Sequence, residues 1–192
     1  MIESICVYCG SISRAGERHF EAARRTGSLI ARRGARLVYG GAHVGLMGVL
    51  ADAALEAGGR VCGVIPRALV DREVAHGRLT EQHVVESMHD RKALMSDLAG
   101  AFLALPGGFG TLDELFETLT WAQLRFHSKP VGLLNVDGYF DGLLAFCDRA
   151  VKDGFVHPAH REMIHVGEDP ELLLDAMDRH VPADAGKWWT RA

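Results

Sequence analysis

Ala101-Phe102-Leu103-Ala104-Leu105-Pro106-Gly107-Gly108-Phe109-Gly110-Thr111-Leu112-Asp113-Glu114 joins an apolar run, a glycine-rich turn and the opening of an acidic segment. A run this short and wholly apolar, ended by proline and glycine, reads as a strand buried on both faces. The apolar spacing that follows predicts a helix over Thr111 to Arg125. Strand, glycine turn and helix in that order are half of a β-α-β unit, so the neighbouring strand should be parallel.

The same order repeats in both directions. Upstream, Ile2 to Cys9 reads as a strand and Glu17 to Arg33 as a helix ended by Gly34. Ala35 to Tyr39, Arg60 to Ile65 and, more weakly, His83 to Glu86 read as strands, with helices over Leu46 to Ala57 and His89 to Asp97. Downstream, Pro130 to Leu134 and Met163 to Val166 are strands, with helices at Tyr139 to Asp153 and Glu168 to His180. The expected fold is α/β: a doubly wound, mostly parallel sheet flanked by helices, Rossmann-like. Residues 1–180 are expected to form one domain and 181–192 a C-terminal tail carrying Trp188-Trp189. The charged stretch from Pro66 through Thr80 is long for a compact domain and marks a lid or substrate loop.

Composition narrows the class. The chain has 192 residues, 48% of them apolar, which suits one folded domain and excludes a disordered chain. A net charge of −4 supplies no global field for nucleic acid or a membrane surface. The N-terminus lacks a basic region followed by an apolar stretch, and no apolar run is long enough to span a bilayer. Cys6-Val7-Tyr8-Cys9 spells C-x-x-C, but inside a strand instead of at a helix start, and no second ligand pair follows at zinc-finger spacing. Structural thiols in a reducing cytoplasm are expected, with no metal.

The 22 glycines cluster. Gly10-Ser11 follows the first strand, Gly40-Gly41 opens the cluster after the second, and Gly107-Gly108-Phe109-Gly110 follows the fifth. In an open α/β sheet these are the carboxyl ends of strands, where ligands bind. Glycine lets the backbone approach a ligand, and the helix that follows offers unpaired N–H groups, so the third cluster suits a phosphate. It is not a Walker loop, for no lysine follows, and no dinucleotide fingerprint stands after the first strand. Thr111 either caps the helix or donates to the same phosphate, and Glu114 either completes a capping box with Thr111 or reaches the sugar of a bound nucleotide. Arg91 and Lys92 stand near the start of their helix, where cations are unfavourable unless an anionic ligand or a facing carboxylate compensates.

With these residues in view, Pro106-Gly107-Gly108-Phe109-Gly110-Thr111-Leu112-Asp113-Glu114 resembles the P-G-G-x-G-T-x-x-E motif of the Lonely Guy (LOG) family, the cytokinin riboside 5′-monophosphate phosphoribohydrolases. Met88-His89-Asp90-Arg91-Lys92 is similar to that family's M-H-x-R-K element. The likeness continues through Gly40 to Gly48, Thr120 to Leu124 and Lys129 to Asn135, and covers the chain up to about Leu174. It implies that Arg91 and Glu114 are the catalytic pair. It further implies that Lys92, the run from Gly108 through Leu112 and Asp113 to Glu114, and Thr120 contact the nucleotide. Glu73 matches an acid of the substrate loop, where Arg72 to Arg78 departs from the commoner pattern around G-E-T. The resemblance implies a homodimer, a small nucleotide as partner, and neither cofactor nor metal. Some members were once labelled lysine decarboxylases, but nothing in the sequence independently suggests a pyridoxal phosphate site.

The expected activity is hydrolysis of the N-glycosidic bond of an adenine-type nucleoside 5′-monophosphate, cytokinin riboside monophosphate or AMP. The alternative is a non-catalytic nucleotide-binding or carrier module that grips the phosphate without chemistry.

Overall fold

The computed structural model describes residues 1–72 and 74–182. Seven strands, β1 (Ser4–Tyr8), β2 (Arg36–Tyr39), β3 (Val61–Pro66), β4 (Glu81–Val85), β5 (Ala101–Ala104), β6 (Val131–Leu134) and β7 (Ile164–Gly167), form one sheet. Its order is β4-β3-β2-β1-β5-β6-β7 and every neighbouring pair is parallel. The order reverses at β1, which lies between β2 and β5, with Ile5 opposite Leu37 on one side and Ala101 on the other. That reversal opens a crevice at the carboxyl ends of β1 and β5.

Helices cover both faces. Ile5, Val7, Leu37, Tyr39 and Leu103 point to the side of α1 (Glu17–Arg32), α2 (Gly45–Glu56) and α8 (Pro170–Asp178). Cys6, Tyr8, Val38, Phe102 and Ala104 point to the side of α4 (Met88–Leu98), α5 (Phe109–Gln123) and α6 (Asp141–Lys152). Successive strand residues therefore enter opposite cores, as the period of two requires. Gly27 lets α1 approach α2 closely, for a Cβ there would fall on the Leu50 carbonyl.

The structure differs from the sequence reading in places. The stretch after Pro66 holds a short helix, α3 (Arg67–Val70), and then pairs with the second glycine cluster. His43 N donates to Val74 O (3.0 Å), His76 N donates to Gly41 O (2.9 Å), and Ala42 bridges Ala75. Strand β4 begins at Glu81, two residues early, because β3 supplies a ladder from Cys62 onward. A helix α7 (Pro158–Arg161) precedes β7. Between β6 and α6 the chain makes a 3-10 turn at Val136–Gly138, and α6 begins at Asp141, two residues after the expected Tyr139. Asn135 holds that turn, accepting from Phe140 N and donating to Asp141, both at 2.7 Å. Trp188, Trp189 and Glu73 lie outside the described residues.

Candidate active site

The loops after β1, β2 and β5 meet backbone to backbone. Gly10 N donates to Pro106 O and Leu46 N donates to Gly10 O, each at 3.0 Å. A Cβ on Gly10 would stand 3.3 Å from Gly107 Cα, so no side chain fits between the loops without pushing them apart.

Helix α5 starts at Phe109, two residues before the expected Thr111, with Gly108 as N-cap in extended backbone. Thr111 is thus a buried first-turn residue and not a cap, and the capping box with Glu114 does not form. The physical reason is that glycine supplies the N-cap conformation itself. The first N–H accounted for in this turn is that of Leu112, which donates to Gly108 O at 3.1 Å. The N–H groups ahead of it, at a positive dipole end, suit an anion. Nothing would meet a Cβ on Gly108 or Gly110, so the space before this helix end is open.

Helix α4 begins at Met88 behind Ser87. Asp90 N donates to Ser87 Oγ (3.0 Å) and Ser87 N to Asp90 Oδ2 (3.1 Å), a reciprocal capping box. This cap turns Arg91 inward. Its Nε donates to Val64 O at 3.2 Å, and its Nη1 stands 3.3 Å from Glu114 Oε1. Gly40 makes the room, since a Cβ there would press into the guanidinium, 2.9 Å from its Cζ. Lys92 turns the other way, with its ammonium 3.1 Å from Asp113 and 3.2 Å from Glu117. Facing carboxylates therefore compensate both cations at this helix start.

Glu114 is buried, and burial pushes its carboxyl up to about 7 from the ordinary 4.5. Arg91 pulls against that, Asp113 pushes with it, and burial prevails. The neighbouring C-x-x-C thiols, Cys6 and Cys9, are also raised, first by burial and then by the Glu114 charge. They are buried thiols that enter opposite cores, so they do not face each other as a redox pair.

A cavity of about 690 Å³ opens over this pair. It brings together Gly10, Ser11, Gly40, Arg91 and Glu114 with the whole turn from Gly107 through Phe109 and Gly110 to Thr111 and Asp113. Lys92, Leu112, Thr120 and Gly41 are not among the residues lining it. Thr120 is exposed and donates to Phe116 O at 2.7 Å, while Leu112 packs into the α4–α6 core. The cavity also takes in Arg14, His19, Met47, Met88 and Tyr139, which the sequence did not single out as ligand contacts. Tyr139 donates its hydroxyl to Gly107 O (2.7 Å) and packs edge-on against His19. The His19 Nδ1 is buried with no hydrogen-bond partner among the described residues. No local pattern announces these side chains, for Tyr139 arrives from a turn beyond β6 and His19 from α1.

Residues 47–177 match a family described as possible lysine decarboxylase. The chain is 48% identical over 178 residues to the probable cytokinin riboside 5′-monophosphate phosphoribohydrolase LOGL9 of Oryza sativa subsp. japonica, covering 93% of this chain and 78% of that protein. It is 45% identical over 182 residues to cytokinin riboside 5′-monophosphate phosphoribohydrolase LOG5 of Arabidopsis thaliana, covering 95% and 80%. A solved structure of the molybdenum cofactor carrier protein from Chlamydomonas reinhardtii superposes with a TM-score of 0.71 over 93% of this chain and 98% of that one. At 23% identity that likeness shows the fold alone.

Proposed function

The chain belongs to the family described as possible lysine decarboxylase that takes in the LOG phosphoribohydrolases, and from that premise we propose that it is an N-glycosidic hydrolase of adenine-type nucleoside 5′-monophosphates. It releases the free base and ribose 5-phosphate from cytokinin riboside 5′-monophosphate, from AMP, or from both. The observation that carries the reading is the buried Arg91–Glu114 pair beside an open glycine turn at a helix N-terminus.

The turn from Gly107 to Thr111 takes the 5′-phosphate on its free N–H groups, and this remote binding energy positions the sugar. Glycosidic cleavage builds positive charge on the sugar ring. The Glu114 carboxylate, once ionised, stabilises that charge and orients or deprotonates the attacking water. Arg91 keeps the carboxylate in place and holds the ribose. Residues 1–180 act as one domain, with Lys92, Thr120 and Glu73 as further nucleotide contacts.

A decarboxylase reading fits the residues less well. Pyridoxal phosphate is held by a lysine Schiff base, and none of the described lysines lines the cavity. Lys92 is engaged by Asp113 and Glu117, Lys129 donates to Ser96 O, and Lys152 is exposed at the end of α6.

The homodimer is also part of the proposal. Helix α6 has no fully buried residue in this chain, and Phe116, Phe126 and Phe146 stand exposed on or just beyond α5 and α6. Light scattering at the elution peak tests the dimer. No helix among the described residues is long and apolar enough to cross a membrane, and the four cysteines are free. The cytoplasm is the proposed compartment.

The deciding experiment incubates the protein with AMP and with isopentenyladenosine monophosphate and resolves the products by chromatography. Free base and ribose 5-phosphate in equal amounts support the hydrolase. Saturable binding with the nucleotide intact after long incubation supports the non-catalytic carrier instead.

A further inference from the structure

A second group of chemically reactive side chains lies at the β4 edge of the sheet, away from the cavity. Cys62 is the second residue of β3 and Glu81 the first of β4, and the parallel register sets them directly opposite each other. His83, two residues on, projects from the same face as Glu81. The Cys62 sulfur, a Glu81 oxygen and a His83 ring nitrogen all lie within 4.8 Å of one another. Cys62 is buried, His83 half-buried and Glu81 exposed, so the group has a closed floor and an open mouth.

We infer that Cys62, Glu81 and His83 form a binding site for a divalent cation of the zinc class. Sulfur, imidazole and carboxylate together favour zinc or cobalt over magnesium or calcium, which prefer oxygen alone. Three protein ligands leave the fourth tetrahedral position to water. Zinc bonds of about 2.0–2.3 Å draw donors together, and the three donor atoms already start within 4.8 Å of one another.

The surroundings already have the form of a metal site's outer layer. His83 Nε2 lies 2.6 Å from Glu81 Oε1, while Arg36 reaches the other oxygen, Oε2, at 3.4 Å. A ligating carboxylate is normally steadied by such an outer hydrogen bond. Arg36 is itself tied to Leu98 O at the carboxyl end of α4 (3.2 Å). On binding, the Cys62 thiol gives its proton to solvent as the sulfur–metal bond forms. His83 binds as the neutral ring, exchanging its hydrogen bond with Glu81 for a bond to the cation. Thiolate and carboxylate then balance the cation's two charges. Adjacent-pair spacing does not reveal the group, because its members come from two strands brought together by the sheet.

Such a cation clips the edge strand β4 to β3 and takes no part in the chemistry at Glu114. The test titrates metal-free, full-length protein with Co²⁺. The expected result is a thiolate-to-cobalt charge-transfer band that saturates at one equivalent and is displaced by Zn²⁺, with Zn²⁺ but not Mg²⁺ raising Tm. Cys62→Val should abolish the band, with Cys6, Cys9 and Cys147 still present as internal controls. His83→Gln, at a half-buried position, should weaken binding by ~10-fold or more while leaving nucleotide hydrolysis unchanged. No band in the unaltered protein, or an undiminished band in either variant, overturns the site. Absence of nucleotide hydrolysis by the unaltered protein would overturn the hydrolase reading and leave the cation site standing.

Discussion

The Arg91 guanidinium lies 3.3 Å from the Glu114 carboxylate, with only 11% and 9% of the two side chains exposed. An ion pair usually depresses a carboxyl group. Here the cost of burying the charge is larger, and Glu114 stands at about 7. The pair is thus held together and poised to change charge near neutrality, where a general base works best.

If ionised Glu114 performs the chemistry, kcat/KM falls on the acid side with an apparent pKa near 7. Removing the guanidinium with Arg91→Met takes away the largest downward pull, so this limb should move to higher pH as turnover drops. A pH–rate profile on both proteins checks this. A limb in the ordinary carboxylate range would separate Glu114 from the essential ionisation.

Stability should follow the same group. The folded state holds the Glu114 proton more tightly than the unfolded chain, about 7 against 4.5. Its contribution is fully present below about 4.5 and is lost as pH rises through about 7. Above that, the buried charge costs at most about 3 kcal/mol. Glu114→Gln removes the titration, so it should be more stable than the natural chain at pH 8 and lose that advantage by pH 4.5. The same variant should lose ~10²-fold or more in turnover. Urea unfolding at both pH values, beside a base-release assay, measures the two effects. An equal stability difference at both values would contradict the assignment.

Two adjacent glycines should behave differently. Nothing meets a Cβ on Gly108, so Gly108→Ala should leave stability within about 0.5 kcal/mol and raise KM by crowding the phosphate. On Gly107 a Cβ would press into Thr111 and stand 2.9 Å from Gly10 N. Gly107→Ala should therefore cost ~1–3 kcal/mol. Thermal unfolding and steady-state kinetics on the two variants distinguish a ligand space from a packing space.

Gly40→Ala tests the seat of Arg91 with both charged residues left unsubstituted. The added methyl displaces the guanidinium and the tip of Met47. Turnover should fall toward that of Arg91→Met with the circular dichroism spectrum preserved. Natural turnover in this variant would mean that the Arg91 position is not critical.

Much of the architecture was legible in residue order. Ile5 to Cys9 and Ala101 to Leu105 are short apolar runs closed by glycine or proline, which reads as buried strand, and Gly34 marks a helix end by local chemistry. The start of α5 was less legible, because Thr111 is a good cap residue by type and only the backbone at Gly108 shows that the helix has already begun. Likewise, residue order does not reveal that the Thr120 hydroxyl donates to Phe116 O on its own helix.

The sequence by itself determined the order of strands and helices, the glycine turns at the strand ends and the residue types available for chemistry. These follow from local periodicity and from conformations that glycine adopts without cost. Tertiary structure alone decided which face each strand residue took, since Cys6 and Val7 are equally apolar yet enter opposite cores. It alone placed Tyr139 and His19 over the glycine turn, set Cys62 against Glu81 and His83, and raised Glu114 toward neutrality. Those outcomes depend on burial and on contacts between residues far apart in the chain, and no spacing along a sequence encodes them.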